Sequence, residues 1–184
     1  MEQLKNAREM YEYCRNNNFG QGMSKSWSEK HFQVIVDALT PDEAVLMVFI
    51  GLHNYVSVTK HDQNVAYAIT NKRIIMGQKK LIGNVVQSVS LDQVNDITSS
   101  TGMLLTVITI DTIKEKFNVA VNKIVGQNIT DKIHALLIEL KSPAEAHSTG
   151  RSAADEISKL KDLLDQGALT QEEFDAMKKK MLGL

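Results

Sequence analysis

From Ala44 to about Ala120 the chain is a succession of short segments rich in Val, Ile, Tyr, Phe and Thr, with no helical pattern between them. They read "AVLMVFIGL", "YVSVTK", "VAYAIT", "RIIMGQ", "VVQSVS", "VNDITS", "MLLTVITI" and "EKFNVAV", and most alternate apolar with polar residues. Turn-formers separate them: "HN", "KHDQN", "TNK", "GN", "STG" and "DTIK". Such runs are strands bounded by turns. Parallel neighbours would need crossover helices, so these strands must pair with their sequence neighbours as an antiparallel meander. About seven strands with one apolar face each will curl into a sandwich or barrel, which removes exposed edges.

Helical patterns flank this run on both sides. Leu4, Ala7, Tyr11 and Cys14 recur at three- and four-residue steps, and "NNNFGQG" ends that stripe. Ser26 with Glu29 has capping-box spacing and predicts a second helix. Its apolar face is Trp27, His31, Val34, Ile35, Ala38 and Leu39, and Pro41 stops it. After the strands, Val125, Ile129, Ile133, Leu136, Leu137 and Leu140 predict a helix over about 122–141, with a stripe wide enough to cover a sheet or a barrel mouth. "SPAEAHSTGRS" lacks any large apolar residue and reads as a linker. The expected organisation is a helical segment over 1–40, a strand-rich domain with its covering helix over 41–141, a linker over 142–151 and a helical hairpin over 152–184.

The hairpin region first looks like the second half of a calcium loop. With Gly167 at loop position six, however, Leu164 falls where an oxygen ligand is required and Gln166 offers only a weak neutral one. Only Asp162 and Glu173 would remain as anionic ligands, too few for a hard dication. The same residues make good helix punctuation. Gly167 follows the apolar stripe of Ile157, Leu160, Leu163 and Leu164, and Thr170 with Glu173 opens a helix carrying Phe174, Met177 and Met181. Lys178, Lys179 and Lys180 then load its last turns, where cations favour the helix dipole.

The order Ile157, Leu160, Leu163, then Asp165, Gly167, Leu169, Thr170, then Glu172, Glu173, Phe174 and the terminal lysines resembles the short C-terminal domain family, SHOCT. That resemblance implies a non-catalytic appendage that mediates oligomerisation or contacts with other components. Two helices of about three turns are marginal alone. Their apolar faces must then be covered by the barrel, by a second hairpin or by a different protein, and Leu160, Leu163, Leu164, Leu169, Phe174, Met177 and Met181 are the expected partner-binding face for a second copy or another protein.

The strand-rich region has its own resemblance. "LTPDEAVLMVFIG", "AYAITNKRIIM", "SVSLDQVNDI" and the closing amphipathic helix are similar to bacterial pleckstrin-homology-like domains over roughly 40–141. The implied fold is α+β: N-terminal helices, then an approximately seven-stranded bent barrel capped by a C-terminal helix, then the small hairpin. The resemblance also implies homo-oligomers and no enzymatic activity. Lys72, Arg73, Lys79 and Lys80 read most simply as a solvated turn and strand exit. The sharper reading makes them contacts for an anion or lipid headgroup, but the basic loop of eukaryotic phosphoinositide binders between the first two strands has no counterpart here.

Little in the chain suggests catalysis. His31, His53, His61, His134 and His147 lack metal-ligand spacing, and Cys14 has no second cysteine to pair with. His53 and His61 flank one hairpin, while His31 and His134 read as hydrogen-bonded structural histidines. No phosphate loop, nucleophile elbow or dinucleotide fingerprint occurs. No catalytic residue, cofactor or metal is therefore expected. A net charge of −1 gives no drive toward nucleic acid. The polar start, the single cysteine and the lack of a long apolar run are those expected of a soluble cytoplasmic chain; the resemblance to bacterial domains implies a bacterial chain, including a prophage-borne one. The sequence supports a protein-interaction or oligomerisation module. Its rival is attachment to a membrane surface through "KRIIMGQKK" and "KKKMLGL", with Met181, Leu182 and Leu184 inserting.

Overall fold

In the computed structural model, residues 3–20, 22–141, 161, 170 and 174 are described. The chain divides into two compact units, Met1–Lys141 and Ser142–Leu184. In the first, α1 (Ala7–Asn17) and α2 (Lys25–Ala38) precede seven strands: β1 (Val45–His53), β2 (Asn64–Thr70), β3 (Arg73–Lys79), β4 (Asn84–Ser90), β5 (Val94–Thr101), β6 (Leu105–Thr112) and β7 (Lys116–Asn122). A single 3₁₀ turn, Leu91–Gln93, joins β4 to β5, and α3 (Lys123–Lys141) closes the unit. The strands form one curled antiparallel sheet in the order β4-β3-β2-β1-β7-β6-β5. The α+β fold with a bent seven-stranded antiparallel sheet, implied by the resemblance of this region, is the observed one, and the sheet curls into a half-barrel.

The sheet is really two layers hinged at the end of β1. Only Leu52 and His53 of β1 pair with β7, through Ala120 and Val119. Gly51 sits at this junction, where a Cβ would lie 2.5 Å from a Val119 methyl, so the strands can approach only because it has none. Farther back along β1, the N-terminal segment supplies other partners: Leu4 N–H donates to the Val45 carbonyl and Ile50 N–H to the Phe19 carbonyl.

Register sorts the core. Phe49, Tyr67 and Met76 align across β1, β2 and β3 on the inner face, as do Met47, Ile69 and Ile74. The Phe49 and Tyr67 rings stack at 4.7 Å. From the other layer, Ile97, Ile108, Ile110, Phe117 and Val119 join the same buried cluster. Helix α3 adds Val125, Ile129, Ile133 and Leu136.

The opposite face of β1–β3 is also buried, which half-barrel logic alone would not require. Its residues are Val48 and Ile50, Ala66 and Ala68, Ile75 and Gly77. Three of these six are small, and α2 lies on them: a Cβ on Gly77 would come within 2.7 Å of Ile35 Cγ1 and 3.2 Å of the His31 carbonyl. The N-terminal helices therefore pack on the barrel of their own chain.

Three local expectations are corrected. "YVSVTK" is not a strand but part of the β1–β2 loop, folded back by a Ser57–Lys60 bridge. It alternates correctly, yet Val56 and Val58 find nothing to bury against and stand exposed. Helix α2 is capped by Ser24, whose Oγ accepts the Trp27 N–H at 3.1 Å, and not by Ser26 two residues later. The "ML" before β6 is a bend with Met103 and Leu104 exposed, and the strand begins at Leu105.

Candidate functional site

The polar groups with the strongest interactions are spent on structure. Glu43, between α2 and β1, has a fully buried side chain. Its Oε1 accepts Arg73 Nε at 2.8 Å and Thr70 Oγ1 at 2.8 Å, and its Oε2 accepts Arg73 Nη2 at 2.9 Å. Arg73 Nη2 also donates to the Ala38 carbonyl at the end of α2, at 2.8 Å. Asn71 accepts the Ala44 N–H. This fork ties α2, the entry to β1 and the β2–β3 turn into one clasp. Burial works against the Glu43 carboxylate, but the hydrogen bonds from Arg73, Thr70 and Thr40 outweigh it and hold its pKa at about 2.

That geometry separates the four basic residues singled out in the sequence. Arg73 is committed to Glu43, and Lys72 sits beside it in the β2–β3 turn. Lys79 and Lys80 lie at the far end of β3, by the β3–β4 turn. No single contact surface gathers all four.

The histidines divide in a similar way. His31 Nδ1 bonds to the Trp27 carbonyl at 2.8 Å and its ring stacks on Trp27 at 3.5 Å, while His134 Nε2 bonds to the Ile97 carbonyl at 2.6 Å. Both are structural, as expected. His53 is buried and shares a 2.6 Å hydrogen bond with the Tyr67 hydroxyl. Burial holds the His53 imidazole below its ordinary value, against the opposing pull of Asp62 and Glu115. Among the described residues no group of three His, Cys, Asp or Glu side chains could hold a metal. Cys14 is buried, its Sγ 3.4 Å from the Val48 carbonyl, and burial pushes its thiol far above the usual range.

His53 and His61 instead help to line a cleft of about 390 Å³ at the mouth of the barrel, with Gln63, Gln78, Lys80 and Gln87. The mouth is framed by loops that the antiparallel register brings to one end. Gln78 Nε2 donates to the Asp62 and Asn64 carbonyls at 3.1 and 3.2 Å, fastening the β1–β2 loop to β3. Tyr55 N–H donates to the Asn118 carbonyl at 3.0 Å, which brings the start of β7, and so the β6–β7 turn, to the same rim.

These three loops share one composition. Val56 and Val58 lie near Lys60, Leu81 and Ile82 follow Lys79 and Lys80, and Ile113 precedes Lys114. All five apolar side chains are more than half exposed; Leu81 and Ile82 stand almost wholly in solvent, at 102% and 91%. The other strongly exposed apolar residues are Met23, Met103, Leu104, Ile124 and Ile138. Of these, Met103, Leu104 and Ile124 are neighbours, beside the bond from Lys123 N–H to the Leu104 carbonyl at the start of α3. Lys79 and Lys80 stand out in the sequence, whereas the five apolar tips do not: Val56 and Val58 alternate as in a strand, Ile113 falls in the turn "DTIK", and Leu81 and Ile82 carry no signal of exposure.

The bacterial PH domain family model matches residues 39–136, from the end of α2 through most of α3. This chain belongs to the bacterial PH domain family. In this bacterial PH domain the matched segment contains the cleft, all three rim loops and the side chains of the clasp, whereas α1 and α2, with the Ala38 carbonyl that the clasp holds, precede it. The short C-terminal domain model matches residues 155–182. No curated protein matches the chain. Among solved structures, the chain is similar to one described as the Vps36 N-terminal PH domain, with 17% sequence identity and a TM-score of 0.40, covering 54% of this chain and 85% of that one.

Of the C-terminal face expected to bind a partner, Leu160, Leu163, Leu164, Leu169, Met177 and Met181 lie outside the described residues. Phe174 is buried, and its N–H donates to the Thr170 carbonyl at 3.0 Å.

Proposed function

We propose that this bacterial PH domain protein is a non-catalytic docking module that attaches to an anionic membrane surface by the rim of its barrel. The observation that carries this reading is the repeated pairing of exposed aliphatic side chains with lysines on three loops at one end. Aliphatic tips can enter the headgroup region while lysines remain at its charged surface. A protein partner fits this rim less well, because protein interfaces favour aromatic residues and Arg and are depleted in Lys. Burying Leu81 and Ile82 contributes about 4 kcal/mol, and Lys79 and Lys80 add about 1 kcal/mol each near acidic lipid. Such attachment is reversible and salt-sensitive.

Flotation with phosphatidylcholine vesicles, with and without phosphatidylserine, tests the idea. The chain should float only with the anionic vesicles, less so as salt rises, and Leu81→Asp with Ile82→Asp should abolish it. Flotation no greater than with neutral vesicles would overturn the reading.

The match to the short C-terminal domain supports a second role for residues 155–182, which recruit another copy or another protein through their apolar face. Pull-down by a fused, immobilised 142–184 segment, compared with the same segment carrying Leu163→Asp and Phe174→Asp, addresses that role directly. Equal capture by both segments would count against it.

A further inference from the structure

The two outer strands of the sheet are treated very differently. On β5, a bulge between Val94 and Asp96 disturbs the edge, and Asp96 places a charge there. The hydrogen bond from Gly102 N–H to the Leu105 carbonyl fixes which β5 residues face β6. By alternation Ile97 faces outward. Both of its backbone groups are nonetheless occupied: its N–H donates to Asp96 Oδ1 at 2.8 Å and its carbonyl accepts His134 Nε2 at 2.6 Å. Bulges, charges and capped backbone are how proteins stop an edge strand from pairing.

On β4 none of these devices is present. Its sequence "NVVQSVS" has no charge and no Pro, and its pairing with β3 runs through seven residues without a bulge. At its two ends, Lys80 N–H donates to the Gly83 carbonyl and Leu91 N–H to the Lys72 carbonyl. Odd-numbered residues therefore face β3, and alternation directs the N–H and C=O groups of Asn84, Val86, Ser88 and Ser90 outward. No hydrogen bond to those outward groups occurs among the described residues. Val85 and Val86 are 41% and 45% exposed in the same stretch.

We infer that β4 pairs antiparallel with β4 of a second copy of this chain, extending the sheet across a two-fold axis. The strand is suited to meeting itself. Like charges opposite one another would oppose such pairing, and β4 carries none. Antiparallel pairing also brings the Lys79–Lys80 end of one strand toward the end of the other that carries both Asp92 and Lys72, so the lysine pair of one chain does not meet the lysine pair of its copy. With Val86 opposite its own copy, Asn84 falls opposite Ser88, and a continuous row of outward backbone groups is satisfied on both chains.

The test is the solution mass of the full chain by sedimentation equilibrium across a wide concentration range. The wild type should rise from one to two chain masses as concentration increases. Val86→Lys places a charge against its own copy, and Val86→Pro removes one outward N–H without touching the bonds to β3. Both variants should stay at one chain mass while keeping the wild-type circular dichroism and thermal midpoint to within a few degrees. A wild type that remains monomeric throughout overturns the inference. So does a dimer that persists in both variants, since its interface must then lie elsewhere, as in the C-terminal segment.

Discussion

Replacing Glu43 by Gln keeps the shape of the clasp and removes its charge. The buried carboxylate accepts two bonds from Arg73, at 2.8 and 2.9 Å, and one from Thr70 at 2.8 Å. Its pKa of about 2 in the folded chain, against 4.5 for an unperturbed group, makes folding depend on its ionisation. A displacement of that size corresponds to about 3 kcal/mol. Because the Arg73 side chain keeps 26% of its surface exposed, water can partly replace the lost partner. The expected loss for Glu43→Gln at neutral pH is therefore about 2–3 kcal/mol, near the lower end for breaking a buried pair. In a chain of this length that lowers the thermal midpoint by roughly 4–12 °C.

The sign of the pH dependence separates charge from packing. The folded state holds the carboxylate ionised, and the unfolded state takes up a proton first. The stabilisation is thus complete above the ordinary carboxylate range and is lost as pH falls from about 4.5 toward 2. Urea unfolding of both proteins between pH 7 and pH 3 should show a constant gap down to about pH 5 and a narrowing one below it. His53 titrates in both chains and cancels in the difference. A gap of the same size at every pH would refute the electrostatic account and leave only packing. Equal stability at pH 7 would refute the clasp.

Four further outcomes follow from the packing. Gly77→Val should cost about 1–3 kcal/mol in urea unfolding, because the new side chain meets Ile35 and the His31 backbone and pushes α2 off the sheet. The Cys14 thiol should react with a disulfide reagent at the rate of unfolding, and a fast reaction in native buffer would contradict its burial. Tyr67→Phe should cost about 1–2 kcal/mol by leaving His53 Nδ1 without its partner. The buried neutral His53 should also make the wild type lose stability as pH falls below about 6.5 toward its depressed value, seen as a falling thermal midpoint.

Strand identity was legible because period-two patterning and turn residues agree along most of the run. Where they misled, at Tyr55–Lys60, the pattern was right but no surface lay opposite to bury Val56 and Val58. The docking of α2 left a fainter trace. In "VAYAI" the large residues Val65, Tyr67 and Ile69 face inward and Ala66 and Ala68 face the helix, so the small side chains record close approach rather than weak packing. The meaning of Arg73 was out of reach of local reading, because its partner Glu43 lies 30 residues away. A basic residue beside a turn looks the same in sequence whether it faces an anion or pins three elements together. The rim was hidden for a related reason: exposure of Leu81 and Ile82 depends on the tightness of the turn that carries them, not on their identity.

The rim and the β4 edge constrain one another. Strand β4 starts at the mouth, next to Lys80 and Leu81, and runs away from it. Pairing two such strands antiparallel sends the two mouths to opposite ends of the joined sheet. If both inferences hold, a dimer cannot seat both rims on one flat bilayer. It can attach through one rim and leave the other facing away, or join two surfaces. The monomer would be an anchor and the dimer a bridge, with β4 deciding between them. Val86→Lys should then float as well as the wild type yet fail to cluster anionic vesicles, a separation of two properties that a rim used for self-association could not produce.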